Sequence, residues 1–137
     1  MLSIMKKNSH LRIKIAEMIQ NAGEGHIPSA YSIIDIVSAL YEKILKFKSS
    51  DPDWEERDYF VLSKGHGAAA LYVVLEKYGF ITSEDLKNKG KEGGILGGHP
   101  DCTKVPGVEA STGSLGHGVV TAMGLALGLK IKRKDNR

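Results

Sequence analysis

One cysteine, one tryptophan and four prolines stand among the 137 residues, and apolar runs are short and interrupted. The lone Cys102 excludes an intramolecular disulfide framework and cannot by itself make a metal knuckle. It fits a reducing, cytoplasmic setting. Near the amino end, Lys6 and Lys7 are followed by Asn8, Ser9, His10 and Arg12, which break any apolar stretch. No signal-peptide hydrophobic region forms, and nothing approaches the roughly 20 apolar residues of a bilayer span. A soluble, cytoplasmic protein without a membrane partner is expected.

Charge is equally sparing. The formal net charge is only +3, and much of it comes from Lys6-Lys7 and from Lys130, Lys132, Arg133, Lys134 and Arg137. No aromatic residue interleaves the second cluster, so it offers no stacking platform for single-stranded nucleic acid. A solvated helix end or tail accounts for it, and no nucleic-acid partner is expected. What is present is ordinary: 42% hydrophobic and 26% charged residues, enough for one globular domain with a core.

Apolar spacing at Leu11, Ile15, Met18, Ile19 and Ala22 predicts a first helix, with Asn8 or Ser9 as its cap and Gly23 to Gly25 as its stop. His26 to Ser29 reads as a loop, since Pro28 disfavours helix at Ile27. Ser32 and Asp35 have the spacing of a capping box for a second helix. Its stripe is Ile33, Ile36, Val37, Leu40, Tyr41, Ile44 and Leu45. Polar residues 47 to 57 read as a surface connection ended by Asp58. Tyr59-Phe60-Val61-Leu62 is predicted to be a buried strand. It turns through Ser63-Lys64-Gly65-His66-Gly67 into a helix ended by Gly79. Thr82 and Asp85 cap a short polar helix. Residues 90 to 107 are irregular, and such long loops are often functional. A last helix runs from Val119 to Ile131, where Gly124 and Gly128 would admit a close neighbour. Strand, glycine turn and helix are the local grammar of an α/β domain.

Four of the five histidines directly follow a glycine: His26, His66, His99 and His117. A Gly-His pair lets the backbone turn tightly while an imidazole projects from the turn. Imidazoles titrate near neutrality, so several together can exchange protons and hydrogen-bond to developing oxyanions. Loop histidines with backbone partners are the plain alternative. A zinc site is another, but no pair has metal-ligand spacing. Thr112-Gly113-Ser114-Leu115-Gly116-His117-Gly118 opens the last helix with three glycines. Free N–H groups there suit an anion, although a glycine-rich turn into a packed helix is the simpler reading.

In order and spacing these segments resemble the transketolase family. The resemblance is carried by Gly25-His26-Ile27-Pro28-Ser29-Ala30, Arg57-Asp58-Tyr59-Phe60-Val61-Leu62-Ser63, Lys64-Gly65-His66-Gly67, Gly98-His99-Pro100, and Pro106-Gly107-Val108-Glu109 running on to Gly118. It spans roughly Leu11 to Lys132. It implies an α/β, helix-rich, incomplete thiamine-diphosphate-binding fold with the start of a parallel sheet, and residues 1–137 as one partial N-terminal diphosphate-binding domain. It also implies transfer of a two-carbon ketol unit between sugar phosphates, with thiamine diphosphate as cofactor. His26 and His99 are then the catalytic residues facing substrate oxygens. His66 lies against the cofactor, and Gly113, Ser114 and Leu115 along its diphosphate.

The sequence departs from the family at two of these positions. His117 stands where the larger enzymes often have Gln, which hints at the shorter, split type. Ile27-Pro28-Ser29 replaces the common Pro-Gly after the first histidine. The family's ligands for Mg²⁺ or Ca²⁺, a Gly-Asp-Gly and a later Asn, follow the last helix and have no counterpart in the sequence. The chain alone is therefore expected to bind cofactor poorly and not to turn over. Partners implied are a second copy in a homodimer or a C-terminal transketolase subunit. A non-catalytic subunit that pairs with and modulates a transketolase-type chain is the alternative.

Overall fold

The computed structural model describes residues 8–137, so the Lys6-Lys7 pair lies outside the described residues. Among the described residues six α-helices follow in order: α1 Ser9–Ala22, α2 Ile27–Tyr31, α3 Ile34–Lys43, α4 Ala68–Lys77, α5 Ser83–Lys87 and α6 His117–Ile131. A single 3₁₀ turn, Gly65–Gly67, leads into α4. The centre of the domain is α4, whose residues Ala68 to Leu75 are all buried. Helices α1, α2, α3 and α5 pack around it. A helix that is apolar on every side belongs in a core, and α4 has neighbours on every side.

The first helix buries the expected Leu11, Ile15, Met18 and Ile19 and ends at Gly23 in the left-handed conformation. Thr82 and Asp85 form the reciprocal capping box of α5. Asp58 is buried, and its two carboxylate oxygens accept from the Lys46 and Arg137 N–H groups.

Five local expectations are corrected. Pro28 does not keep residues 26–29 in a loop, because it sits in the first turn of α2, where its missing N–H costs nothing and its fixed φ suits the helix. Ser32 and Asp35 form no capping box. Helix α3 starts after Ile33 without a side-chain cap, and Asp35 is drawn to Arg12 at 2.6 Å and Asn8 at 2.8 Å. That commitment also takes Asn8 away from capping α1, which has no side-chain cap. The core face of α3 is Ile34, Val37, Ser38 and Tyr41, while Ile36 and Ile44 face outward. Finally, no strand forms among the described residues. Residues 59–62 make one backbone bond across to the chain's end, Tyr59 N–H to the Arg137 carbonyl at 2.7 Å. A strand needs a ladder, and one rung is not a ladder. The start of a parallel sheet is thus absent from the described residues.

Residues 47–62 are held instead by side chains. Phe47 and Phe60 join Tyr41, Tyr78 and Phe80 in a ring cluster with centroids 5.3–6.4 Å apart, spacings at which aromatic pairs attract. The Arg57 guanidinium grips the Glu109 carboxylate with two bonds of 2.8 and 2.9 Å. Both side chains are largely buried, and the carboxylate raises the arginine's already high pKa.

Candidate functional site

Four loops meet on one side of the domain: residues 24–27, 62–67, 98–100 and 112–118. One of their joints is a main-chain contact that only glycine permits. A Cβ on Gly65 would lie 2.6 Å from the Thr112 carbonyl oxygen, and one on Gly118 would lie 2.4 Å from Ser63 Cα. Both distances are below any real Cβ contact, so the 62–67 and 112–118 segments touch backbone to backbone.

Thr112 fastens the same junction. Its Oγ1 donates to the Leu62 carbonyl at 2.7 Å and its N–H to the Pro100 carbonyl at 3.3 Å. Lys64 Nζ donates to Ser32 Oγ at 2.8 Å, and that hydroxyl donates to the Ser29 carbonyl, which ties the 62–67 turn to α2.

The predicted site residues fall into one chain of neighbours. The imidazoles of His26 and His66 meet edge to face, with centroids 5.6 Å apart. His66 lies between Gly65 and Gly67, which pack on Thr112 and on Ile33. A Cβ on Gly113 would be 3.7 Å from His99 Cδ2, so the first residue of the glycine turn lies under the His99 ring. Ser114 and Leu115 continue that turn at the surface. His26 and His99 are exposed and His66 is half-buried. His117 is the first residue of α6 and is exposed.

Sequence reasoning missed Tyr72. Its buried hydroxyl donates to the His99 carbonyl at 2.8 Å, and burial pushes the phenol's pKa up, keeping it a neutral donor. It also missed Thr112 as a fastener, Lys64 and the buried Lys89. Their partners are far away in sequence, so local pattern gives no sign of them.

The turn before α6 fits an anion. Gly116 precedes the helix at φ +89° without a side-chain cap. The N–H groups of Gly113, Ser114, Leu115 and Gly116 have no hydrogen-bond partner among the described residues. Free amides at a helix start favour phosphate-like groups. A divalent metal finds less. No group of three or more His, Cys, Asp or Glu side chains among the described residues could hold one. No helix among them is long and apolar enough to cross a membrane.

A helical core that presents a glycine-opened helix and projecting histidines on one side matches a known class, the thiamine-diphosphate-binding domains. Residues 5–136 match the family described as transketolase, thiamine diphosphate binding domain. The chain is 41% identical over 124 residues to a subunit of the apulose-4-phosphate transketolase of Phocaeicola vulgatus, covering 90% of this chain and 44% of that protein. It is 38% identical over 120 residues to the 6-deoxy-6-sulfo-D-fructose transketolase subunit SqwG of Clostridium sp., covering 88% and 44%. Transketolase from Leishmania mexicana superposes with a TM-score of 0.81 at 38% identity, over 90% of this chain and 18% of that one. The chain belongs to the transketolase family. It spans a little under half the length of the Phocaeicola and Clostridium relatives it matches.

Proposed function

We propose that this chain is the diphosphate-binding part of a thiamine-diphosphate-dependent enzyme that transfers a two-carbon ketol unit between sugar phosphates. In this reading the free amides of Gly113, Ser114 and Leu115 bind the diphosphate. His66 lies against the cofactor and, through its edge contact with His26, fixes how that imidazole is presented. His26 and His99 hydrogen-bond to the substrate's hydroxyl and carbonyl oxygens, stabilise charge that develops there, and carry protons to and from them. Thiamine diphosphate, when bound, supplies the carbanion chemistry of the transfer. The Mg²⁺ or Ca²⁺ that balances a diphosphate requires oxygen ligands, and these come from outside the described residues. A reducing cytoplasm suits the free, exposed Cys102.

The chain acts with a second polypeptide, as a homodimer or beside a C-terminal transketolase subunit. Two observations support this. The Phocaeicola and Clostridium relatives are both called subunits, and α6 leaves Val119, Val120, Met123, Leu127 and Ile131 exposed. Contiguous apolar surface of that kind marks an interaction face.

The observation that carries the proposal is the close approach of Gly65 to Thr112, with the His26–His66 ring contact on one side of it and His99 against Gly113 on the other. The test is ketol transfer from a ketose phosphate to an aldose phosphate by the chain mixed with a C-terminal transketolase subunit, thiamine diphosphate and Mg²⁺. His26→Ala and His99→Ala should each lower kcat by about 10²-fold or more, the usual weight of a general acid or base. Turnover unaffected by both substitutions would contradict the assignment.

A further inference from the structure

Lys89 is a cation where the packing has no need of one. Its side chain is 2% exposed, and lysine is almost never so buried unless it is paired. Taking an ammonium out of water is costly, and an apolar side chain of similar size would serve stability as well or better. Its Nζ donates to the Glu24 carbonyl and to Glu24 Oε1, both at 3.3 Å. The Glu24 side chain is 60% exposed, so the pair reaches from the interior to the edge of the site.

That carboxylate stands between the turns bearing His26 and His99. A Cβ on Gly98 would lie 3.9 Å from Glu24 Oε1, and one on Gly90 would lie 3.4 Å away. Gly98 precedes His99 directly, and Glu24 is separated from His26 only by Gly25, at φ +144°. Lys89 also sits at the base of the loop that leads to His99, closed by Gly90 N–H to the Leu96 carbonyl at 2.9 Å. One ammonium thus holds the backbone of the first turn and sets the carboxylate beside Gly98 of the second. Of the other long-range pairs, Arg12–Asp35 and Lys14–Glu76 join helices, and Arg57–Glu109 and Lys134–Glu55 hold the segment around residues 55–57.

We propose that Lys89 is a positioning residue whose ion pair with Glu24 sets the separation of the His26 and His99 imidazoles. The consequence for catalysis rests on the reading of those histidines given above; the structural brace does not. Misplacement of reacting groups by about 1 Å can cost on the order of 10²-fold in rate, so a buried charge in this position has a use that its stability contribution lacks.

Three variants of the full chain test it: Lys89→Met, which keeps length and removes charge; Lys89→Arg, which restores charge; and Glu24→Gln, at the exposed partner, where folding is not at risk. Imidazole NMR reads the brace directly. Resonances of both His26 and His99 should move in Lys89→Met and Glu24→Gln and return toward the original in Lys89→Arg, with His10 unmoved throughout. In the assembly with a C-terminal subunit, thiamine diphosphate and Mg²⁺, kcat should fall about tenfold or more in Lys89→Met, with KM for the ketose phosphate within about twofold. Unchanged His99 resonances in Glu24→Gln, or an arginine variant no better than methionine, would overturn the proposal. Should the unsubstituted assembly show no ketol transfer, the catalytic reading fails, and the NMR arm still decides the brace.

Discussion

At Gly65 and Gly118 a single methyl group would collide with main chain, at 2.6 Å from the Thr112 oxygen and 2.4 Å from Ser63 Cα. Backbone cannot step aside as a flexible side chain can. Gly65→Ala and Gly118→Ala should therefore each destabilise the domain by about 1–3 kcal/mol, read from urea denaturation midpoints. Unchanged midpoints would refute the close approach. Tyr72→Phe removes the hydroxyl that holds the His99 carbonyl and should cost about 1 kcal/mol. The turns that carry the histidines were legible in the sequence because a Gly-His pair is a local signal. The groups that seat them were not. Tyr72, Thr112 and Lys89 bond to partners 27, 50 and 65 residues away, and no periodicity reports a contact at that range.

Among the elements, the long periodic α1 and the short, capped α5 were readable, and the five-residue α2 was not. Leu11, Ile15, Met18 and Ile19 keep one register along the 14 residues of α1, whereas the stripe expected for α3 included Ile36 and Ile44, which point outward. Asp35 explains part of that error. As a cap it would have started the helix at Ser32; as the partner of Arg12 it anchors α3 to α1. The Arg12 guanidinium, helped by Asn8, holds the Asp35 carboxyl below the usual carboxylate range. A depressed carboxylate contributes stability that is present above the unfolded pKa, about 3.9, and is lost as pH falls through the folded value. Asp35→Asn should remove that part of the acid sensitivity, so variant and parent should converge in stability as pH falls through the depressed folded value. A constant gap across the acid range would contradict the account. Arg57→Met should leave Glu109 buried and unpaired at a cost of about 2–3 kcal/mol, and Arg57→Met with Glu109→Leu together should cost less than either alone.

For the molecule as a whole, the five family blocks were legible in order, and the structure brings them to one junction of four loops, the second and third blocks together supplying residues 62–67. The unformed strand marks where reading stopped. Residues 59–62 have strand composition, but composition cannot supply the neighbouring strand that would make a ladder. Helix α6 gives the same lesson. Its glycines permit close packing, yet a Cβ on Gly124 or Gly128 would meet nothing within 4 Å, and the surrounding apolar residues face outward. Association through this face predicts that the chain self-associates with rising concentration or binds a C-terminal subunit. Val120→Lys should reduce that association in sedimentation experiments without lowering Tm, since Val120 is 69% exposed. The most direct test of the central claim is titration calorimetry of thiamine diphosphate with Mg²⁺ into the chain, with and without a C-terminal transketolase subunit. Amides and histidines without metal ligands should give binding weaker than micromolar for the chain alone, tightened when the subunit is added. Micromolar binding to the chain alone would contradict the need for outside ligands, and no binding in either case would contradict the diphosphate site itself.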